Sequence, residues 1–294
     1  MCYSLDFGIN NINKMISIVI PLYNKEHCIK ETLSSILSQS YKDFEIVVVN
    51  DGSKDNSVVV VNSINDSRIR LINKENEGVS KTRNRGIKEA QGEWIMFLDA
   101  DDLMYEGCLQ ALVDLGEQVP EANVLCGSFV TKINNREILS STLKDLTLLT
   151  NQYELIWKKK WNIRLGSFIA RKEILPQFPV DMAKGEDVLY CFNLLSKGTV
   201  ANTPHMTMTY VRENSELSKK RIPLEECLSW NLSFDTNFSY LKTIYVEILI
   251  KGIIVSIIRF HSLKNAIRLL SKHIKGLLLY TPIFFVRLLT RKLM

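Results

Sequence analysis

Residues 94–102 read Trp94-Ile95-Met96-Phe97-Leu98-Asp99-Ala100-Asp101-Asp102, an apolar run that ends in three carboxylates. A short continuous apolar run is typical of a strand that is buried on both faces, which requires helices on both sides of its sheet. The stretch therefore favours an α/β fold. Its closing carboxylates are hard oxygen ligands that suit Mg²⁺ or Mn²⁺, although an isolated acidic cluster is also typical of a solvated loop.

A second apolar strand upstream ends in the same way. Residues 44–53 read Phe44-Glu45-Ile46-Val47-Val48-Val49-Asn50-Asp51-Gly52-Ser53. Ligands of open α/β sheets bind beyond the carboxyl ends of the strands. We therefore expect Asp51 and Asp99 to lie at one edge of one sheet, where they can contribute to one site.

The rest of residues 15–125 alternates between strand and helix patterns. Strands are predicted over 15–22, 44–49, 69–72 and 93–98, and helices over 26–39, 79–90 and 105–115, with a further helix capped by Asp55 or Asn56. Such alternation predicts βαβ units and a mostly parallel central sheet between helical layers. Beyond residue 120 the pattern loosens, with strands predicted over 124–130, 168–171 and 207–211 and a helix over 188–195.

Charge is unevenly distributed along the 294 residues, whose net charge is +5. From Leu241 onward the chain has ten Lys or Arg residues and one acid, Glu247. Two apolar runs in this tail, 252–258 and 276–286, are bounded by cations and are shorter than the ~20 residues that span a bilayer. The pattern predicts basic helices on an anionic membrane surface rather than nucleic-acid binding. A helical cap on the domain and a dimer face are the alternatives.

The cysteines and the N-terminus indicate the compartment. The six cysteines form no Cys-x-x-Cys pair, which predicts reduced thiols that mostly fill the core. The first residues lack a basic segment followed by an apolar one, so no signal peptide is predicted and we expect a cytoplasmic protein.

Three further motifs have both a functional and a structural interpretation. Pro21-Leu22-Tyr23-Asn24 ends the first strand. In the functional interpretation Tyr23 stacks on a planar base, and in the structural one the turn is an ordinary strand end. Residues 77–86 open a helix with Gly78 and favour an anion, or they form a basic solvated face. Gly185-Glu186-Asp187 precedes an apolar helix and supplies either a general base or a helix cap.

Taken in order, these motifs resemble the inverting family 2 glycosyltransferases of the GT-A fold, over residues 15 to about 215. The resemblance implies a bacterial surface-polysaccharide type that is non-processive, because the Gln/Arg-x-x-Arg-Trp motif of processive members is missing. It implies a domain over 15–220 that binds the nucleotide-sugar and catalyses transfer. A helical basic region then follows over 221–294 and is predicted to associate with a membrane.

The resemblance also implies a role for each matching residue. Those expected to hold the donor nucleotide are Pro21, Tyr23, Asp51, Arg83 and Asp99. Asp101 is the expected Mn²⁺ or Mg²⁺ ligand, with Asp102 as its competitor. Asp187 is the expected catalytic base, and Glu186 is the second candidate or an acceptor contact. His205 as a metal ligand, and Tyr210, Arg212 and Ser215 near the diphosphate, are weaker candidates.

The function implied is transfer of one hexosyl or N-acetylhexosaminyl group from a nucleotide-diphospho-sugar, with a UDP-sugar as the expected donor. The acceptor is a hydroxyl of a glycan or of a lipid-linked glycan on the cytoplasmic face of the membrane. Two alternatives come from other classes. One is a catalytically silent nucleotide-sugar-binding module on the membrane surface, and the other is a sugar nucleotidyltransferase. The second needs a glycine-rich phosphate loop after the first strand, where residues 21–26 have none.

Overall fold

A computed structural model describes residues 15–133, 136–211, 223–258 and 262–293. The strands in these residues are β1 (Ile16–Leu22), β2 (Phe44–Asp51), β3 (Ile69–Lys74), β4 (Trp94–Phe97), β5 (Leu103–Met104), β6 (Val124–Ile133), β7 (Arg136–Leu139), β8 (Thr147–Leu149), β9 (Phe168–Arg171) and β10 (Val200–Val211). The α-helices are α1 (Ile29–Leu37), α2 (Ser57–Asn62), α3 (Val79–Glu89), α4 (Cys108–Gln118), α5 (Gln152–Trp157), α6 (Glu186–Leu195), α7 (Ser239–Ile258) and α8 (Leu263–Leu293).

The described strands form one mixed sheet in the order β3-β2-β1-β4-β9-β6-β10-β5, with β7 beside β6 and β8 beside β10. The first four strands of this order are mutually parallel. β9 lies antiparallel between β4 and β6, and β6 is parallel to β10. The predicted α/β fold with a mostly parallel central sheet is confirmed.

The sheet separates two apolar cores. Alternate residues of one strand enter opposite cores, because successive side chains of a strand point to opposite faces. In β4, for example, Ile95 and Phe97 belong to one core and Trp94 and Met96 to the other. Helices α1 and α4 cover one face and α5 and α6 the other, which gives the predicted three layers.

Several elements differ from the sequence prediction. β10 begins at Val200 instead of residue 207, and β6 runs to Ile133. The prediction missed β5, β7, β8 and α5, which contain two to six residues each. Such short segments have little periodicity of their own, and their pairing with longer strands determines them. Five cysteines lie in the described residues and all are free thiols, whereas Cys2 lies outside them.

The C-terminal region forms two helices that pack on the sheet domain. Leu249 of α7 and Leu269 of α8 are fully buried in the same core as Phe97. Both predicted apolar runs lie inside these longer helices. The runs are shorter than the helices that contain them, because Lys and Arg bound an apolar run without ending a helix. One described segment, Leu263–Leu289, is long and apolar enough to cross a membrane by length and composition, with 17 % of its most apolar part buried. The predicted boundary at residues 220 and 221 lies outside the described residues.

Candidate functional site

The turns after β1 and β2 are hydrogen-bonded to each other at the carboxyl edge of the sheet. The Asn24 amide donates to Ser53 Oγ at 3.1 Å, and the Lys54 amide donates to Asn24 Oδ1 at 2.8 Å. Asn24 has a φ of 51°, a left-handed conformation that asparagine tolerates. The paired turns leave Tyr23 exposed, so its ring is accessible to a planar ligand.

Asp51 is buried where β2 ends, and both of its oxygens have partners. The amides of Glu77 and Gly78 donate to them at 2.9 and 3.0 Å, and the Lys74 ammonium is a third donor. Burial raises the pKa of Asp51, but these donors outweigh burial and hold the pKa below its ordinary value. Gly78 precedes α3 with a φ of 93°, which a residue with a side chain rarely adopts. Asp51 therefore fixes the start of α3.

Arg83 connects the two halves of the site. Its guanidinium is buried and donates from Nη2 to Asp99 Oδ1 at 2.8 Å and from Nη1 to Glu186 Oε1 at 3.3 Å. The same group lies over the Phe178 ring, 5.3 Å from its centroid. Asp99 follows β4 and Glu186 begins α6, so one arginine joins residues that are distant in sequence.

The position of Arg83 depends on close packing of α3 against β1. A Cβ atom on Gly86 would lie 2.1 Å from Val19 Cγ1, so only glycine allows this approach. Asn84 holds the neighbouring loop: its Nδ2 donates to the Phe178 carbonyl at 3.0 Å, and the Phe178 amide donates to Asn84 Oδ1 at 2.8 Å. The Phe178 ring stacks in turn on Tyr190 of α6, with centroids 3.8 Å apart.

The acidic turn, residues 99–102 after β4, contains three carboxylates that differ in their partners. Asp99 binds Arg83, and Asp101 forms an ion pair with Lys25. Asp102 is buried and makes no hydrogen bond or ion pair through its carboxylate with any described residue. Burial raises the pKa of Asp102 to about 8, and the charges of Asp99 and Asp101 add to the rise.

Asp101 and Asp102 of the acidic turn are the predicted ligands of Mn²⁺ or Mg²⁺. In the described part of the chain, no group of three or more His, Cys, Asp or Glu side chains is arranged to hold a metal ion. The donor set nevertheless suits a hard divalent cation, because three carboxylates share one turn and the buried one, whose pKa is raised first by burial and then by the charges of the other two, has no cationic partner of its own among the described residues. Lys25 supplies the positive charge beside Asp101.

The two acids at the start of α6 also differ. Burial raises the pKa of Glu186, the neighbouring charge of Asp187 adds to the rise, and the Arg83 guanidinium opposes it. Asp187 is partly exposed, and its carboxylate forms no hydrogen bond or ion pair with the described residues. Glu186 is thus held by an arginine, whereas Asp187 has its oxygens available.

Two residues near the acidic turn were not predicted. Lys25 directly follows the Pro21–Asn24 motif, and its position beside a strand end was a usable signal. Arg164 precedes β9, and nothing in the local sequence marks it. His205 lies next to Gly107 at the start of α4. Arg212 and Ser215 lie outside the described residues, so their predicted approach to the diphosphate stays a prediction.

Known proteins resemble this chain in sequence. A glycosyltransferase of Bacillus subtilis (strain 168), EpsJ, is 37 % identical over 138 residues, which are 46 % of this chain and 40 % of that protein. A glycosyltransferase of Rickettsia felis is 30 % identical over 212 residues, which are 70 % of this chain and 33 % of that protein. The alignments span less than half of the length of either relative.

Solved structures resemble the fold. The crystal structure of S. aureus TarS 1-349 in complex with UDP-GlcNAc superposes with a TM-score of 0.72 and 22 % identity, covering 89 % of this chain and 81 % of that one. The predicted GT-A-like fold is confirmed by this likeness.

The sequence model of a family, described as glycosyl transferase family 2, matches residues 17–178. The matched region contains the turns after β1 and β2, Arg83 and the acidic turn, and it ends before Glu186 and Asp187. Since this region is more than half of the 294 residues, the chain belongs to glycosyl transferase family 2.

Proposed function

We propose that this protein transfers one sugar, with inversion, from a nucleotide-diphospho-sugar to a hydroxyl of a glycan or lipid-linked acceptor. The observation that carries the proposal is the Arg83 network, which joins Asp99 on the donor side to Glu186 beside Asp187. A UDP-sugar is the proposed donor, because the TarS structure of the same fold contains UDP-GlcNAc. The sugar is proposed to be a hexosyl or N-acetylhexosaminyl group.

Asp187 is the proposed base. Inverting transfer is a single in-line displacement, so it needs one group to accept the proton of the attacking hydroxyl and no enzyme nucleophile. Asp187 is accessible and has no partner among the described residues, whereas Glu186 is engaged by Arg83. The pair of the buried Arg83 and the partly buried Glu186 keeps a second carboxylate beside the base, and we assign Glu186 to orientation of the acceptor.

A divalent cation, Mn²⁺ or Mg²⁺, is proposed at the acidic turn. Asp101 and Asp102 are the residues that would hold it, with Asp99 beside them. The chemistry that the ion supplies when bound is neutralisation of charge on the leaving diphosphate. The raised pKa of Asp102 supports the assignment: it comes first from burial and then from the charges of Asp99 and Asp101, and a cation would relieve both effects on the ionised carboxylate.

We further propose that helix α8 places the protein on the cytoplasmic face of a membrane. Ala266, Leu269 and His273 of this helix are buried against the domain. A neighbouring stripe, about a quarter turn round the helix, exposes large apolar side chains at helical spacing: Leu263, Ile267, Leu270, Ile274 and Leu278. An exposed apolar face of this length, on a helix rich in Lys and Arg, suits the interface of an anionic bilayer.

The test is a screen of the full chain against UDP-, GDP-, ADP-, CMP- and dTDP-linked sugars with Mn²⁺ or Mg²⁺. Metal-dependent release of the free nucleotide, increased by a glycan acceptor, is the expected result. Binding of a nucleotide-sugar without any turnover would favour the silent binding module. Formation of a nucleotide-sugar from a sugar phosphate and a nucleoside triphosphate would favour the nucleotidyltransferase.

A further inference from the structure

Arg164 lies at the candidate site because strand β9, which it precedes, runs antiparallel to its neighbours. β9 is antiparallel to its neighbours β4 and β6, so the residues that precede β9 lie at the edge where β4 ends. The loop that carries Arg164 is closed locally, because the Arg164 amide donates to Ser167 Oγ at 3.1 Å and that hydroxyl donates back to the Arg164 carbonyl at 2.7 Å. Arg164 therefore stands beside the acidic turn on a fixed loop.

The guanidinium of Arg164 is held by stacking and has its donors free. It lies over the Tyr210 ring of β10, with Cζ 3.4 Å from the ring centroid. With the described residues its N–H groups form no hydrogen bond and no ion pair, although a guanidinium carries five donors. Its charge nevertheless acts on Asp99, where it helps to lower the pKa.

The other two cations of the site are already engaged. Arg83 binds Asp99 and Glu186, and Lys25 binds Asp101. A leaving diphosphate at this edge would face three carboxylates, so it needs cationic donors that are not committed elsewhere. A planar guanidinium suits a phosphate group, because it can donate two parallel hydrogen bonds. Stacking on an aromatic ring leaves these in-plane donors unobstructed.

We propose that Arg164, oriented by Tyr210, donates hydrogen bonds to the diphosphate of the bound donor and of the leaving nucleoside diphosphate. The proposal rests on the proposed function, since it needs a donor of this chemical class. Phosphate binding by Arg164 and a purely structural role predict opposite changes in diphosphate affinity when Arg164 is removed. If Arg164 only offsets the acidic turn, its removal should strengthen binding of the divalent cation and of the diphosphate with it. If Arg164 binds phosphate, its removal should weaken diphosphate binding.

The experiment is calorimetric titration of the full chain, in Mg²⁺, with UDP, GDP, ADP, CDP and dTDP, and then with the monophosphate of whichever diphosphate binds. We expect Arg164→Gln to weaken diphosphate binding about tenfold or more, the scale of a charged hydrogen bond. The same variant should change monophosphate binding less than about threefold, and Arg164→Lys should restore part of the loss. Tyr210→Leu should weaken diphosphate binding and Tyr210→Phe should not, because the ring alone supplies the stacking.

Arg85→Gln is the matched control, because Arg85 is an exposed arginine paired with Glu89 on α3. Unchanged or tighter diphosphate binding by Arg164→Gln would overturn the inference and leave the proposed function standing. Equal losses for the mono- and diphosphate would also overturn it, because they would indicate general damage to the site. If the wild-type chain binds none of the five diphosphates, the proposed function fails and the inference fails with it.

Discussion

At the scale of single residues, the site is a set of acids whose differences come from their partners. Asp51 accepts hydrogen bonds from two amides and a lysine, Asp99 binds Arg83, and Asp102 has no such partner among the described residues. Donors stabilise the charged form of a carboxylate, and burial without donors destabilises it. The same residue type therefore serves as a structural anchor in one position and as a candidate cation ligand in another.

Asp187→Asn tests the assignment of the base. The substitution is nearly isosteric, so nucleotide binding should stay within about twofold while kcat falls by roughly 10²-fold or more, the scale of general-base loss. Glu186→Gln is the matched comparison, and it should raise KM for the acceptor more than it lowers kcat. Steady-state kinetics and nucleotide titration measure both effects. A large loss of kcat in Glu186→Gln with a normal Asp187→Asn would reverse the two roles.

Two substitutions test the cation site, because they should change its Mn²⁺ affinity in opposite directions: Asp101→Ala and Lys25→Met. Asp101→Ala should lose most Mn²⁺ binding, because it removes a hard oxygen ligand. Lys25→Met should bind Mn²⁺ more tightly than the wild type when nucleotide is absent, because it removes the ammonium that pairs with Asp101. Free Mn²⁺ can be followed by electron paramagnetic resonance, with circular dichroism as the check on folding. Wild-type Mn²⁺ affinity in both variants would place the cation elsewhere.

At the scale of elements, the sheet carries a buried polar contact at the edge opposite the site. Glu45 of β2 is buried and accepts hydrogen bonds from Ser17 Oγ at 2.6 Å, from the Gln91 amide at 2.6 Å and from Arg70 Nη1 at 2.7 Å. Burial raises the pKa of Glu45, but these donors outweigh it and the pKa lies below its ordinary value. The contact joins β1, β2, β3 and the end of α3, so it fixes the layer that positions Arg83.

Glu45→Gln should lower the free energy of unfolding by about 2 kcal/mol at pH 7, since it removes charged hydrogen bonds within the structure. A carboxylate with a lowered folded-state pKa stabilises the fold fully above its unfolded pKa of about 4.3. That stability is lost as pH falls through the lower folded-state pKa. The difference between wild type and variant should therefore be constant from pH 7 to 5 and shrink below about pH 4.

Urea denaturation at pH 7, 5, 4 and 3 measures this difference, with the exposed Glu31→Gln as the control for a generic change of charge. A difference that stays the same across this range would show that the charge of Glu45 is not what stabilises the contact.

At the scale of the whole molecule, helix α8 has two apolar sides with different surroundings. Leu277 and Phe284 pack into the domain core, while Leu278 is 71 % exposed. The tail is therefore a structural part of the domain, and it also presents an apolar surface. The alternatives for that surface are the membrane and a second copy of this chain. Removing the whole tail would uncover the core, so point substitutions on the exposed stripe are the sharper test.

Leu278→Glu and Ile274→Glu together should lower the partition coefficient of the full chain onto anionic phosphatidylglycerol vesicles, measured by co-sedimentation, by about 10²-fold or more. Each buried apolar side chain contributes roughly 1.5–3 kcal/mol to partitioning, and an added acid repels the anionic surface. Wild-type binding should weaken only in part as salt rises, because salt screens the cations and not the apolar contact. The control is Val59→Glu on α2, an equally exposed apolar residue elsewhere.

Sedimentation velocity of the same variants distinguishes the two partners. In detergent-free buffer we expect the wild-type chain and the double variant to have the same oligomeric state. A dimer that is lost in the double variant, together with unchanged vesicle binding, would assign the exposed face to a second copy of this chain.

The sequence by itself determined the layered α/β fold and the edge at which the site lies. Continuous apolar runs such as residues 46–49 require a covered sheet, and Asp51 and Asp99 lie at or just after the ends of β2 and β4. Asp51, Asp99 and Asp101 could be placed at one edge for this reason, since the position of a residue relative to its own strand is a local property. The family resemblance came from the same local motifs.

Only the tertiary structure decided which of these residues meet and what charge they carry. The Arg83–Glu186 contact joins residues 103 positions apart, and Arg164 reaches the site only because β9 is antiparallel within a mostly parallel sheet. Strand direction depends on pairing with distant strands, and a pKa such as that of Asp102 depends on burial and on neighbours from other loops. The exposed apolar stripe of α8 was undetermined for the same reason: two adjacent faces of the helix are apolar, and packing against the sheet domain selects the one that is buried.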